Sequence, residues 1–372
     1  MPKAAERAQA RALVLDAPRR LVERSFDLPP SGPDDGLLLV EACGLCGTDH
    51  EQYTGQLHPG RPFIPGHETV GVIADLGERA AERWGVRLGD RVAVEVFQSC
   101  RRCAACERGD HRHCERNGLP TMYGFQGTEV PPSLWGGYAT HQYLGPDSML
   151  LPVPDGLDPV LATVFNPLGA GIRWGVTVPG TKPGDVVAVL GPGIRGLATA
   201  CAAKEAGAGF VMVTGRGARD HPRLDEARRF GADLVVDVAE EDPVAALRQA
   251  TGTAGADVVV DVTAKAPAAF AQAVALARPE GTVVVAGTRG EASTPGFHPD
   301  HVVYKELRII GALGVDTASY EQALALLATK RYPFAELARR EVPLDEVEDL
   351  LRDMAGEGDE APVHGVVVPD GR

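Results

Sequence analysis

Cys100, Cys103, Cys106 and Cys114 stand in the pattern C-x2-C-x2-C-x7-C. Four thiolates at this spacing can wrap tetrahedrally around one Zn²⁺ without help from elsewhere in the chain. Because every position is a cysteine, no coordination site stays open. That predicts a closed structural zinc lobe over about residues 98–118 rather than a catalytic centre. An iron–sulfur cluster and unrelated free thiols are the competing readings. His111 and His113 fall inside the same loop. With four thiols available, they read as solvated loop residues.

A second stretch, Gly191-Pro192-Gly193-Ile194-Arg195-Gly196, is a G-x-G-x-x-G between the apolar run Val186–Leu190 and the helical pattern Leu197–Ala206. The motif alone is weak, and the strand–turn–helix context strengthens it. Its glycines permit a tight turn and close approach to a pyrophosphate, which the helix N-terminus favours electrostatically. Gly191, Gly193, Ile194, Arg195 and Gly196 are therefore candidate cofactor contacts. NAD-binding versions place an acidic residue about 20 positions on, at the end of the second strand. Here that strand ends Val213-Thr214-Gly215-Arg216-Gly217-Ala218-Arg219, with Gly215 at the acidic position. A missing carboxylate removes repulsion toward a 2′-phosphate, and Arg216 and Arg219 can bind it. NADP(H) is favoured over NAD(H) on this reading. On the opposite one, both arginines are solvated and NAD is held by other groups.

A third pair of segments carries metal-site ingredients. Cys43-Gly44-Leu45-Cys46-Gly47-Thr48-Asp49 and Pro65-Gly66-His67-Glu68 offer thiolate, imidazole and carboxylate on turns. Neither is decisive alone.

The elements that must position these residues follow two rhythms. The 372 residues suit two domains rather than one core. The first 160 or so are rich in Gly and Pro, with strand-like runs at Leu37–Val40, Thr69–Ile73 and Arg91–Val94. Later, apolar runs recur at Val186–Leu190, Phe210–Val213, Leu234–Val238, Val258–Val262, Thr282–Ala286 and Leu307–Ile310. Helical stretches lie between most of them, at Leu197–Ala206, Leu224–Phe230, Val244–Ala250 and Ala268–Ala277. Uniformly apolar strands alternating with such helices predict a parallel sheet covered on both faces. Helical patterns follow at Tyr320–Thr329 and Leu344–Met354, then a strand at Val366–Val368 expected to return to the first domain. The expected boundaries are 1–163, 164–305 and 306–372.

Composition excludes some function classes. The net charge of −14 works against binding phosphate backbones or anionic membranes, so neither nucleic acid nor membrane is an expected partner. No stretch approaches the roughly 20 apolar residues of a membrane span. Met1–Ala12 is polar and lacks a signal-type apolar run, which predicts a cytoplasmic protein. Seven cysteines there point to metal or reactivity rather than disulfides. Cys43 and Cys201 read as small buried residues.

In their order along the chain, these motifs resemble the zinc-containing medium-chain alcohol dehydrogenases. Gly-His-Glu-x2-Gly at Gly66–Gly71 and Trp135-Gly136-Gly137-Tyr138-Ala139 add to the resemblance, which runs from about residue 10 to the C-terminus. It implies an α/β protein, with a GroES-like β domain and a Rossmann doubly wound parallel-sheet domain flanking an active-site cleft. It also implies two zinc ions, one structural and one catalytic, and a homodimer or homotetramer. Cys46 and His67 match the first two catalytic zinc ligands of the family. Thr48 matches the hydroxyl that passes the substrate proton, and Asp49 an outer carboxylate that orients the metal site. Glu68 is the neighbouring carboxylate that binds zinc in polyol-type members. The implied reaction moves hydride between the nicotinamide and an alcohol or carbonyl polarised by zinc.

Two positions depart from the family. The third ligand is there a Cys, Asp or Glu, and this chain has Asn166. The expectation is that Glu68 completes the site, with Asn166 binding weakly or through water. Many members also place a relay histidine five residues after the first ligand cysteine. Here that residue is Glu51, with His50 just before it, so that either relays protons or both face solvent. Phe125, Trp135 and the stretch after Thr48 are candidates for the cleft wall. The expected substrate is a secondary alcohol, polyol or sugar-derived alcohol or ketone. A reductase of an activated double bond or quinone, and a non-catalytic NADP(H)-binding protein, are the alternatives. A nucleic-acid-binding zinc module is disfavoured by the acidity and the glycine turn.

Overall fold

Antiparallel strands, several of them buried along most of their length, build the first part of the chain. The computed structural model describes residues 8–290, 292–358 and 362–370, so the first seven residues of the polar N-terminal stretch lie outside it. β1 (Gln9–Ala17) and β2 (Arg20–Asp27) form an antiparallel hairpin. β3 (Gly36–Leu45) leads into helix α1 (Gly47–Thr54). β4 (Glu68–Leu76), β5 (Arg91–Val94), β6 (His141–Leu144) and β7 (Leu150–Pro152) complete the N-terminal strands. β3 and β4 are antiparallel, and their register sets Gly44 opposite Glu68 and Cys43 opposite Thr69.

A short helix, α2 (Phe165–Ile172), precedes the parallel sheet. The chain then alternates β8 (Val186–Leu190), α3 (Ile194–Glu205), β9 (Phe210–Gly215), α4 (His221–Arg229), β10 (Leu234–Asp237), α5 (Pro243–Thr251), β11 (Ala256–Asp261), α6 (Ala268–Leu276), β12 (Ala277–Val285) and β13 (Arg308–Gly311). The strand order is β10-β9-β8-β11-β12-β13, every pair parallel. All five residues of β8 are buried. Each Val or Leu so covered contributes about 1.5–3 kcal/mol. The order runs away from β8 in both directions, which puts a topological switch point between β8 and β11.

After α7 (Thr317–Ala328), β14 (Arg339–Val342) and helix α8 (Val347–Ala355) lead to β15 (His364–Val367). β15 pairs with β3, so the C-terminal strand returns to the first sheet, ordered β14-β15-β3-β4-β5-β7 with β6 on β3. The chain divides into two compact units, Met1–Phe165 with Ala338–Arg372, and Asn166–Leu337. Among the described residues no helix is long and apolar enough to cross a membrane.

Three local expectations change. Thr48 and Asp49 lie in the first turn of a helix, not on a turn. Leu344–Glu346 is a single 3₁₀ turn before α8. β12 begins at Ala277, ahead of a register shift at Pro279–Gly281 whose proline and glycine interrupt the apolar run.

Candidate active site

Cys46 closes β3 and caps α1. Its backbone N–H donates to Asp49 Oδ2 at 2.9 Å, so the carboxylate fixes the helix start. The other Asp49 oxygen faces His67 Nδ1 at 3.7 Å, and His67 Nε2 lies 3.5 Å from Cys46 Sγ. Glu68 enters from the β3–β4 register, and a Cβ on Gly44 would stand 2.3 Å from Glu68 Oε2. The glycine thus makes room for the carboxylate. Ligand atoms of Cys46, His67 and Glu68 lie within 4.8 Å of one another, and all three residues are buried. A thiol, an imidazole and a carboxyl together in a dry place are costly unless they bind a cation. Borderline-soft S, N and O donors in this number suit Zn²⁺ with a position left open.

Two motifs read separately in the sequence turn out to be one packed unit. Gly137 N–H donates to Gly66 O at 2.9 Å and Tyr138 N–H to Pro65 O at 3.0 Å. A Cβ on Gly136 would lie 2.0 Å from Ile64 O, and one on Gly137 2.2 Å from Thr69 Oγ1. The glycines let one loop lie directly on the backbone that carries His67. The Phe125 ring lies near His67, ring centres 6.3 Å apart and planes tilted by 51°. Trp135 instead packs edge-on against Tyr143 at 4.9 Å and belongs to the core, not to a cleft wall.

Thr48 is half-buried in the first turn of α1, while His50 and Glu51 are both buried. Facing solvent is therefore excluded for the pair. His50 Nε2 meets Glu357 Oε1 at 3.1 Å, and Arg19 grips the same carboxylate with two bonds of 3.0 Å. The Arg19 guanidinium, with His50, holds the Glu357 carboxyl down to about 2.

The cysteine lobe is also brought together. The sulfur atoms of Cys100, Cys103, Cys106 and Cys114 lie within 4.8 Å of one another, which fits a four-thiolate site. His113 is exposed and bonded to Asp110 at 2.7 Å. His111 differs from the solvated residue expected. It is buried, with Nδ1 3.4 Å from the buried Glu95.

In the second unit Gly191 adopts φ +104, and a Cβ on Gly196 would stand 1.8 Å from Gly191 O. Only glycine allows α3 to start so close to β8, leaving its N-terminal N–H groups for a pyrophosphate. Gly193 caps the helix, and apart from its chain neighbours no atom of the described residues lies within 4 Å of where its Cβ would point. The turn therefore fits a dinucleotide. Ile194 is buried, and Arg195 lies over the Trp174 ring at 5.2 Å. A Cβ on Gly215 would stand 2.9 Å from Asp220 Cβ and 3.1 Å from Pro192 Cγ. Arg216 and Arg219 are exposed, and Arg216 N–H donates to Asp220 Oδ2 at 2.9 Å. Asn166, in this second unit, is buried and donates its amide to Tyr320 Oη at 3.1 Å.

Residues 32–155 match the family described as alcohol dehydrogenase GroES-like domain, and residues 196–329 the one described as zinc-binding dehydrogenase. A probable alcohol dehydrogenase of Mycobacterium tuberculosis (strain CDC 1551 / Oshkosh) is 68% identical over 364 residues, 97% of this chain and 99% of that one. The chain belongs to the zinc-containing medium-chain dehydrogenases. This dehydrogenase is also 28% identical to the sorbitol dehydrogenase of Bacillus subtilis (strain 168), over 92% of each chain. Its fold matches a protein of Sinorhizobium meliloti 1021 named as a zinc-binding dehydrogenase and bound to NADP, with TM-score 0.83 and 28% identity, covering 98% of this chain and 100% of that one. It has the predicted fold class, a GroES-like β domain with a Rossmann domain, and is an alcohol/polyol oxidoreductase.

Sequence reading missed several groups in this dehydrogenase. Arg223 on α4 is largely buried beside Asp220, at 3.6 Å, on the loop that carries Arg216 and Arg219. His221 bonds Asp237 at 2.8 Å, which raises its pKa. Arg339 and His364 are register partners on β14 and β15. Arg339 Nη1 and both nitrogens of His364 are buried with no hydrogen-bond partner among the described residues. Nothing in the local pattern around Arg223, Arg339 or His364 marks them as buried; for Arg339 and His364 only strand pairing does.

Proposed function

We propose that this dehydrogenase interconverts a secondary alcohol, polyol or sugar-derived alcohol and its ketone, prefers NADP(H) to NAD(H), and holds two zinc ions. The cysteine lobe holds the structural ion. Cys46, His67 and Glu68 hold the catalytic one, and Glu68 takes the place of the family's third ligand. The observation that carries the reading is the buried cluster of those three side chains around a common point. Asn166 supports it indirectly, because its amide is already engaged with Tyr320.

Zinc bound there supplies Lewis acidity toward an alcohol or carbonyl oxygen, and the bound nicotinamide accepts or returns hydride. The chain's own residues do the rest. Asp49 orients His67 and the start of α1 together. The Thr48 hydroxyl takes the alcohol proton, and His50 or Glu51 passes it outward. The His50–Glu357 contact favours His50 for that step, since Glu357 is partly open to water.

NADP(H) preference rests on Gly215. A carboxylate there is excluded by contact with Asp220 and Pro192, while Arg216, Arg219 and the neighbouring Arg223 supply positive charge for a 2′-phosphate. The named polyol dehydrogenase among the relatives supports a polyol-type substrate. The proposed setting is the cytoplasm, as a homodimer or homotetramer.

Elemental analysis of purified protein tests the metal assignment, with about two zinc ions per chain expected. Steady-state kinetics with NADPH and NADH on a panel of polyols and ketones tests the rest. Equal or better use of NADH would remove the cofactor preference, and one tightly held zinc would remove the catalytic site.

A further inference from the structure

Asp261 ends β11 and is fully buried, and it is ion-paired with Arg289 on the loop after β12, whose side chain is 10% exposed. A buried ion pair is a poor stabiliser compared with apolar packing, so its presence asks for another reason. The partners of Arg289 supply one. Its guanidinium donates to Asp261, to Gly287 O at 2.9 Å and to Ala266 O at 3.2 Å, and it lies 3.3 Å from Thr263 Oγ1. Asp261 Oδ1 in turn accepts from Thr263 N–H at 3.1 Å and Thr263 Oγ1 at 2.6 Å. Thr263 reaches the glycine turn: a Cβ on Gly191 would stand 3.1 Å from Thr263 Cγ2, and one on Gly287 1.9 Å from Thr263 O. One cation thus fastens the segments that leave β11 and β12, and Thr263 presses them onto the turn that leaves β8.

These are the carboxyl ends of strands on either side of the switch point, where a doubly wound sheet binds its ligand. The β8–β9–β10 half of such a sheet serves the adenosine side, which leaves the β11–β12–β13 half for the nicotinamide side. We infer that Arg289 is a positioning residue for the nicotinamide half of the dinucleotide, acting through Asp261 and Thr263. The inference rests on the dinucleotide reading of Gly191–Gly196 and not on the preference for NADP(H).

The test uses zinc-loaded protein carrying Arg289→Lys, or the charge-neutral pair Asp261→Asn with Arg289→Gln. A lysine keeps the charge but cannot serve three acceptors in a fixed fork. Calorimetric titrations with NADPH and NADH are compared with titrations using the adenosine halves, 2′,5′-ADP and ADP. The expected result is about tenfold weaker dinucleotide binding, with the adenosine half changed by less than about twofold. A fall in melting temperature with unchanged dinucleotide binding would overturn the inference, since the clasp would then only staple the fold. Equal weakening of dinucleotide and half-ligand would overturn it as well. If the neutral pair does not fold, Arg289→Lys alone decides on the same criteria. Wild-type protein that binds NADH and not NADPH would remove the cofactor preference, and the NADH-against-ADP comparison would still decide the clasp.

Discussion

His50 and Glu357 meet across 307 residues of sequence, Nε2 to Oε1 at 3.1 Å. The contact ties the helix that starts at Cys46 to the chain just past α8, and Arg19 locks it from the β1–β2 turn. The Arg19 guanidinium and His50 depress the Glu357 carboxyl from 4.5 to about 2. A carboxyl with a depressed folded-state pKa stabilises above its unfolded value and loses that contribution as pH falls toward the folded one. Glu357→Gln is therefore expected to melt below the wild type at pH 7, with the difference shrinking from about pH 4.5 down to about 2. A gap that stays constant over this range in urea unfolding would show that the charge is immaterial.

The zinc assignment separates two side chains. Glu68→Ala is expected to drop zinc from about two ions per chain to about one and to abolish alcohol oxidation, because an open site with two protein ligands holds metal poorly. Asn166→Ala is expected to keep both ions and to lose only the bond to Tyr320, costing about 1 kcal/mol. The opposite pattern would make Asn166 the ligand and Glu68 a bystander.

At Gly215 the expectation runs against simple charge swapping. Gly215→Asp installs the carboxylate typical of NAD sites, but its Cβ meets Asp220 and Pro192. Overpacking of this kind costs about 1–3 kcal/mol. The variant should lose NADPH binding, gain no NADH binding and melt earlier. Arg216→Ala with Arg219→Ala should weaken NADPH and leave NADH unchanged. A Gly215→Asp protein that turned into a good NADH enzyme would refute the steric argument.

Most of the parallel unit could be read from the sequence because each buried strand there is a short run of consecutive apolar residues. Val186–Leu190 is both the run and the strand. The candidate metal-binding clusters could be read because spacing and residue type are local facts. What escaped was long-range. β1, with its mixed pattern QARALVLDA, is made a strand by pairing with β2. Helix α1 carries His and Asp where helix formers are usual, and it is fixed by the Cys46–Asp49 cap. Glu357, Asp261 with Arg289, and Arg339 with His364 acquire meaning only from partners far along the chain or on another strand.

His364 gives the last expectation. It lies on β15, fully buried, with no hydrogen-bond partner for either nitrogen among the described residues, and burial followed by the charge of Arg339 lowers its pKa from 6.5 to about 3. The unfolded chain takes up the proton at about pH 6.5, and the folded one refuses it until about pH 3. Stability from this residue is therefore whole above pH 6.5 and declines as pH falls through that window, by at most about 1.4 kcal/mol per unit. Wild type should lose roughly 2–3 kcal/mol between pH 6.5 and 4.5 from this residue alone. His364→Asn, which cannot protonate there, should flatten the urea-unfolding profile by that amount. Every other group that titrates at low pH tilts both proteins alike, so the difference in slope isolates His364. Parallel profiles would mean that the imidazole keeps access to water or to a partner when protonated.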